Sequence, residues 1–112
     1  MLIENLDYSA INFDEMATSM GIKPKHIPML IAIFLEESET ILSDLASAIE
    51  SRDYSNMKLH SHSLKGSAGN LKFNELYEMA KEMESAAEQK SETFEYSRYL
   101  QAVQNGIETV PN

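Results

Sequence analysis

Residues 27–49, IPMLIAIFLEESETILSDLASAI, place apolar side chains at Ile27, Leu30, Ile31, Phe34, Leu35, Ile41, Leu42, Leu45, Ala48 and Ile49. This three-and-four spacing is the repeat of one helix face, and it is held for about six turns. Pro24 and Pro28 sit near its start, where a missing N–H is tolerated. Deeper in a regular helix, Pro28 would clash with the preceding turn. The spacing therefore predicts a long amphipathic helix from about Pro28, with a looser turn before it.

Working outward, SRDYS offers Asp53 as an N-cap, and Tyr54, Met57, Ser61, Leu64, Ala68 and Leu71 form a second stripe. A second helix is expected from about residue 54 to 71. After a break at 70–74, with Asn74 as its cap, a third stripe runs through Tyr77, Ala80, Met83 and Ala87. Ser91 followed by Glu92 opens a fourth, through Tyr96, Leu100, Val103 and Ile107, ahead of Pro111. On the N-terminal side, Tyr8 to Met20 reads as a short helix ended by Gly21. Connections of a few residues make consecutive helices antiparallel neighbours. The expected fold is all-α: an up-down antiparallel four-helix bundle with a short additional N-terminal helix, formed by residues 1–112 as one domain.

Composition narrows the function classes. A chain of 112 residues that is 43% hydrophobic can bury one core but not two. The absence of cysteine excludes a disulfide scaffold, a thiol nucleophile and a cysteine-ligated metal. A net charge of −9 repels a phosphate backbone, so nucleic acid is not the expected partner. The longest apolar run, Met29 to Leu35, is seven residues, against the roughly 20 needed to cross a bilayer. The start, MLIENLDYSA, lacks the basic and apolar regions of a secretory signal. A cytoplasmic protein without membrane insertion is expected.

One segment does not read as plain bundle. Gly66 and Gly69 lie inside the second helix, where each glycine costs about 0.5 to 1 kcal/mol relative to alanine. At about 100° per residue, Met57, Ser61, Ala68 and Leu71 cluster around Leu64, whereas His62, Gly66, Gly69, Lys58 and Lys65 share the outward face. A solvated histidine thus has a lysine one turn away on either side and bare helix surface beside it. Neutral imidazole is a competent nucleophile, and lysine can neutralise a phosphoryl group. This combination suits phosphoryl transfer through histidine. From Arg52 to Lys72 the local charge is +3, leaving −12 on the rest of the chain.

The other polar residues have plainer readings. His60 is a partly buried flank of the core, and His26 a surface or capping residue. His60 and His62, at i and i+2, point about 200° apart and cannot chelate one ion. The clusters Glu36, Glu37, Glu39 and Glu82, Glu84 read as solvated helix faces rather than metal ligands, and no metal site is expected.

The run His62-Ser63-Leu64-Lys65-Gly66-Ser67-Ala68-Gly69-Asn70-Leu71 resembles the signature of the histidine-containing phosphotransfer (HPt) domain of two-component phosphorelay signalling. Phe34-Leu35-Glu36 upstream, and Leu76 and Glu84 downstream, extend the resemblance over roughly residues 28 to 90. HPt domains are four-helix bundles. The resemblance implies that His62 is the phosphoacceptor and Lys65 the cation that steadies the phosphoryl group. Gly66, with Gly69, gives a partner steric access. Glu84 matches a position whose side chain can hydrogen-bond the histidine. About ten residues on either side of the 71–74 turn, His62 and Glu84 would sit level on an antiparallel hairpin. Glu84 could equally be a surface acid paired with Lys81 or Lys65. Lys72 departs from the family's glycine, so it either adopts a left-handed conformation or lengthens the turn.

The function so implied is a covalent relay that takes a phosphoryl group from one receiver-domain aspartate and passes it to another. The expected partners are response-regulator receiver domains, with the Mg²⁺ on the partner; the chain is expected to be monomeric, without a cofactor, an ATP site or kinase activity of its own. Lys58, Leu59 and Lys72 are candidates for the docking surface, although Leu59 could be an incidental surface leucine. The alternatives are an HPt-like interaction module that is not phosphorylated, and the histidine-bearing input domain of a chemotaxis-type kinase.

Overall fold

A computed structural model describes residues 1–112 as α1 (Phe13–Met20), a 3₁₀ turn at Pro24–His26, α2 (Ile27–Glu50), α3 (Tyr54–Asn70), α4 (Asn74–Glu88) and α5 (Tyr96–Glu108), with no strand. The four long helices form the up-down antiparallel bundle, and α1 packs against the start of α2. α3 is the most extensively packed element, lying against both α2 and α4. The 3₁₀ turn is the looser turn ahead of α2, with Pro24 in its first turn. The body measures 43 × 22 × 19 Å, its long axis set by the 24 residues of α2.

The stripes become the core. Ile27, Ile31, Phe34, Leu42, Leu45 and Ala48 from α2 meet Met57, Leu64 and Ala68 from α3, Leu76, Met79 and Met83 from α4, and Leu100, Val103 and Ile107 from α5. Asp53 caps α3 as expected, accepting from the backbone N–H of Asn56 at 3.1 Å.

Three helix starts differ from the expectation. α1 begins at Phe13, not Tyr8, because the Asn12 side chain accepts from Glu15 N–H and fixes the start there. Residues 1–11 instead form a strap along α4 and α5. Leu6 seats on Gly106, the Tyr8 ring lies 4.7 Å from that of Phe73, and Tyr8 N–H donates to Thr109 Oγ1. α4 includes Asn74 as its first residue, with Phe73 in the cap position and no side-chain cap. α5 begins at Tyr96, not Ser91. Ser91 Oγ accepts from Phe94 N–H and its carbonyl accepts from the Tyr96 hydroxyl, so Ser91 organises a turn rather than a helix start.

Three helices share one type of ending. Arg52, Lys72 and Lys90 follow α2, α3 and α4 with φ of 56°, 62° and 52°. In each case the next residue's N–H returns to the helix: Asp53 to Ala48, Phe73 to Ala68 and Ser91 to Ala86. This is the Schellman arrangement, normally served by glycine. Lys72 therefore takes the left-handed conformation rather than lengthening the turn.

Candidate functional site

The tight turn at 71–73 sets the register of α3 against α4. His62–Glu84, Lys58–Glu88 and Gly69–Tyr77 are each equidistant in sequence from Phe73, and each pair meets across the α3–α4 interface.

His62 projects from α3 with its side chain 66% exposed, and its Nδ1 lies 2.7 Å from Glu84 Oε2. A carboxylate can only accept, so the proton of this bond resides on Nδ1, and in the neutral ring Nε2 is the nitrogen left with a lone pair. The other oxygen, Oε1, accepts from Lys65 Nζ at 2.6 Å. Glu84 itself is only 15% exposed. Burial pushes its carboxyl up, but the hydrogen bonds from Lys65 and His62, with their charges, outweigh this and hold it below the usual glutamate value. The same bond to Glu84 raises Lys65, against a smaller opposing effect of desolvation.

The two readings of Glu84 are thus joined in one geometry. It binds the histidine and Lys65 together, while Lys81 takes no part in the contact. Lys58, one turn before His62, pairs with Glu88 at 3.5 Å, both side chains being largely exposed. Ser55, Lys58, Leu59, His62 and Glu84 line an open cleft of about 440 Å³ beside the imidazole.

The glycines separate. A Cβ built on Gly66 meets nothing within 4 Å, so the surface one turn after His62 is open. Gly69 has a close neighbour instead: its Cβ would lie 3.2 Å from Tyr77 Cδ2, so its missing side chain accommodates the α4 ring. Lys72 is exposed at the far end of α3. Leu59 is 55% exposed, and Met29 and Ile33 on α2 are also exposed apolar residues that the sequence reading did not single out.

The +3 charge of the α3 segment is not a free basic face. Lys58 and Lys65 are each matched by an α4 glutamate, and Arg52 and Lys72 sit at helix ends. Sequence reading missed Glu88, and it placed Tyr77 in the third stripe without its contact to Gly69. The His62–Glu84 register would have located both, since they follow from the same turn.

His60 is half-buried in a separate polar cleft with Asp44, Ser47, Ser51, Asp53 and Asn56, and His26 is exposed in the 3₁₀ turn. No group of three or more histidine, aspartate or glutamate side chains is arranged to hold a metal ion. No helix is long and apolar enough to cross a membrane.

No curated protein and no solved structure matches the chain. The family model of the Hpt domain matches residues 29–111, which takes in all four bundle helices save the first two residues of α2. The chain therefore belongs to the Hpt domain family, whose members are phosphotransfer carriers in phosphorelays, interact with receiver domains and have no kinase activity of their own.

Proposed function

We propose that this chain accepts a phosphoryl group on His62 from the aspartyl phosphate of one receiver domain and passes it to the aspartate of another. The observation that carries the reading is the 2.7 Å contact of His62 Nδ1 with Glu84, made by an imidazole otherwise open to solvent. It leaves Nε2 as the nucleophile, facing outward where a partner can reach it.

In the transfer, the Nε2 lone pair forms the N–P bond as the P–O bond to the partner's aspartate breaks, and that carboxylate leaves with the electron pair. Nδ1 keeps its proton, so the phosphorylated ring carries positive charge, and the Glu84 carboxylate opposite stabilises it. A bare carboxylate beside an incoming phosphoryl dianion would also repel it. Lys65, bonded to Glu84 Oε1, offsets that repulsion and so steadies the phosphoryl group. Return of the group to a second aspartate reverses these steps, with Mg²⁺ held by the receiver.

The docking surface is assigned to the open helix at Gly66 and the exposed side chains of Lys58 and Leu59. Lys72, ten residues from His62 and about 15 Å along the helix, falls at the edge of a patch of ordinary interface size. Residues 1–112 act as one domain, the strap being packed on the same core as the helices; the proposed reading takes it as cytoplasmic and monomeric.

The test is incubation with a receiver domain carrying labelled phosphate. Acid-labile, alkali-stable label is expected on the native chain and absent from His62→Gln. Label that survives this substitution, or no label on the native chain, overturns the reading. If label arrives only from an ATP-dependent kinase domain, the chain is the input domain of such a kinase instead. Lys65→Ala should fold and transfer about five-fold more slowly, as for the loss of one modest transition-state contact; an unchanged rate refutes its role.

A further inference from the structure

The two lysines that flank His62 are held by α4 glutamates of very different quality. Lys65–Glu84 is short, at 2.6 Å, and its side chains are 22% and 15% exposed. Glu84 also has the imidazole to hold, so a Lys65 that left would strand a shielded carboxylate on one side. Lys58–Glu88 is long, at 3.5 Å, and the side chains are 48% and 63% exposed. That distance exceeds the normal N–H···O range, and solvated pairs of this kind are worth little. Lys58 can therefore leave Glu88 at small cost, and water solvates the glutamate it leaves.

Lys58 can also reach the reacting atom. At i−4 from His62 it projects from the same face, with Cβ atoms about 5 to 6 Å apart. Both residues line the cleft of about 440 Å³, which has ample room for a phosphoryl group on Nε2. In the resting site two lysines and two glutamates cancel. Phosphorylation of a neutral imidazole adds one net negative charge, because the ring gains a positive charge and the phosphoryl group brings two negative ones. Lys58 is the cation free to answer it.

We propose that Lys58 is the side chain that directly contacts the phosphoryl group on His62, that Glu88 holds it in reserve before transfer, and that Lys65 remains on Glu84 throughout. The proposal rests on His62 being the phosphoacceptor. Glu88 is a positioning residue, acting only through Lys58.

The test uses the full chain phosphorylated with phosphoramidate, a small donor that needs no partner protein. The ³¹P signal of the phosphohistidine is followed against pH, its midpoint reporting loss of the ring proton. A cation against the phosphoryl group favours that loss. Lys58→Met should raise the midpoint by about half a pH unit, a three-fold change in the ionisation constant, as for one charge a few ångströms away near a surface. Glu88→Gln should lower it by a similar amount in the native background and by much less in the Lys58→Met background. Both side chains are exposed, so circular dichroism should show the fold unchanged. A midpoint indifferent to Lys58→Met, or a Glu88→Gln effect that persists in full without Lys58, overturns the proposal and leaves His62 as acceptor. Failure of the native chain to give any phosphohistidine signal overturns both.

Discussion

Gly69 of α3 lies against the ring of Tyr77 of α4 so closely that a Cβ on Gly69 would fall 3.2 Å from Cδ2, whereas one on Gly66 would meet nothing within 4 Å. Two glycines three residues apart thus answer to different constraints. Gly69→Ala gains helix propensity and loses it to the displaced ring. Gly66→Ala gains propensity alone, about 0.5 to 1 kcal/mol. Thermal unfolding should place Gly66→Ala roughly 3 °C above the native chain, and Gly69→Ala level with it or below. Transfer rates should run the other way: the new methyl on Gly66 stands one turn from His62 and should slow transfer, while Gly69→Ala should leave it nearly unchanged. Equal stabilisation by both substitutions would show that Tyr77 does not constrain Gly69.

The pattern of what could be read from sequence follows from this distinction. The buried stripes were legible because each is repeated over several turns, and a single ambiguous residue does not move them. His62, Lys65 and Gly66 were legible as an outward face because three-and-four spacing assigns faces as firmly as it assigns the core. The helix ends were less so. Arg52, Lys72 and Lys90 occupy left-handed positions without glycine, so no residue type marks those turns. Ser91 resembles a cap but spends its hydroxyl and carbonyl on Phe94 and Tyr96. The strap over α4 and α5 has too irregular a path to leave any period in residues 1–11. The pairing of both flanking lysines with α4 depended on the register across Phe73, which charge counted along the chain cannot express.

Glu84 should show its two bonds in the acid limb of stability. Its carboxyl titrates below the usual value because, although burial pushes it up, Lys65 and His62 hold it down further. A group lowered on folding stabilises the native state fully above its unfolded-state value, here near 4.5, and loses that contribution as pH falls through the lower folded-state value. Glu84→Gln keeps the shape and an acceptor for Nδ1–H but removes the charge. Urea unfolding at pH 7 should find it less stable by about 1.5 to 3 kcal/mol, the range for a hydrogen bond to a charged group. Towards pH 3 the two curves should converge. A gap that stays constant from pH 7 to pH 3 would mean that the carboxylate charge contributes nothing there.

The three basic residues at the helix ends carry opposing contributions that substitution can separate. A non-glycine residue in the left-handed region costs about 1 kcal/mol. A positive charge beside a helix C-terminus returns roughly 0.3 to 1 kcal/mol at low salt. At Lys90, glycine removes the first and forfeits the second, whereas alanine keeps the cost and loses the charge. Lys90→Gly should therefore exceed Lys90→Ala by about 1 kcal/mol in urea unfolding, with the native chain between them. Arg52, at the same end of the bundle and with φ of 56° against 52°, should give the same order. Raising the salt to 1 M screens the charge and should draw the native chain down toward the alanine variant, while the spacing between glycine and alanine stays fixed because it is steric. An alanine variant as stable as the glycine one would mean that the left-handed conformation is not occupied in solution.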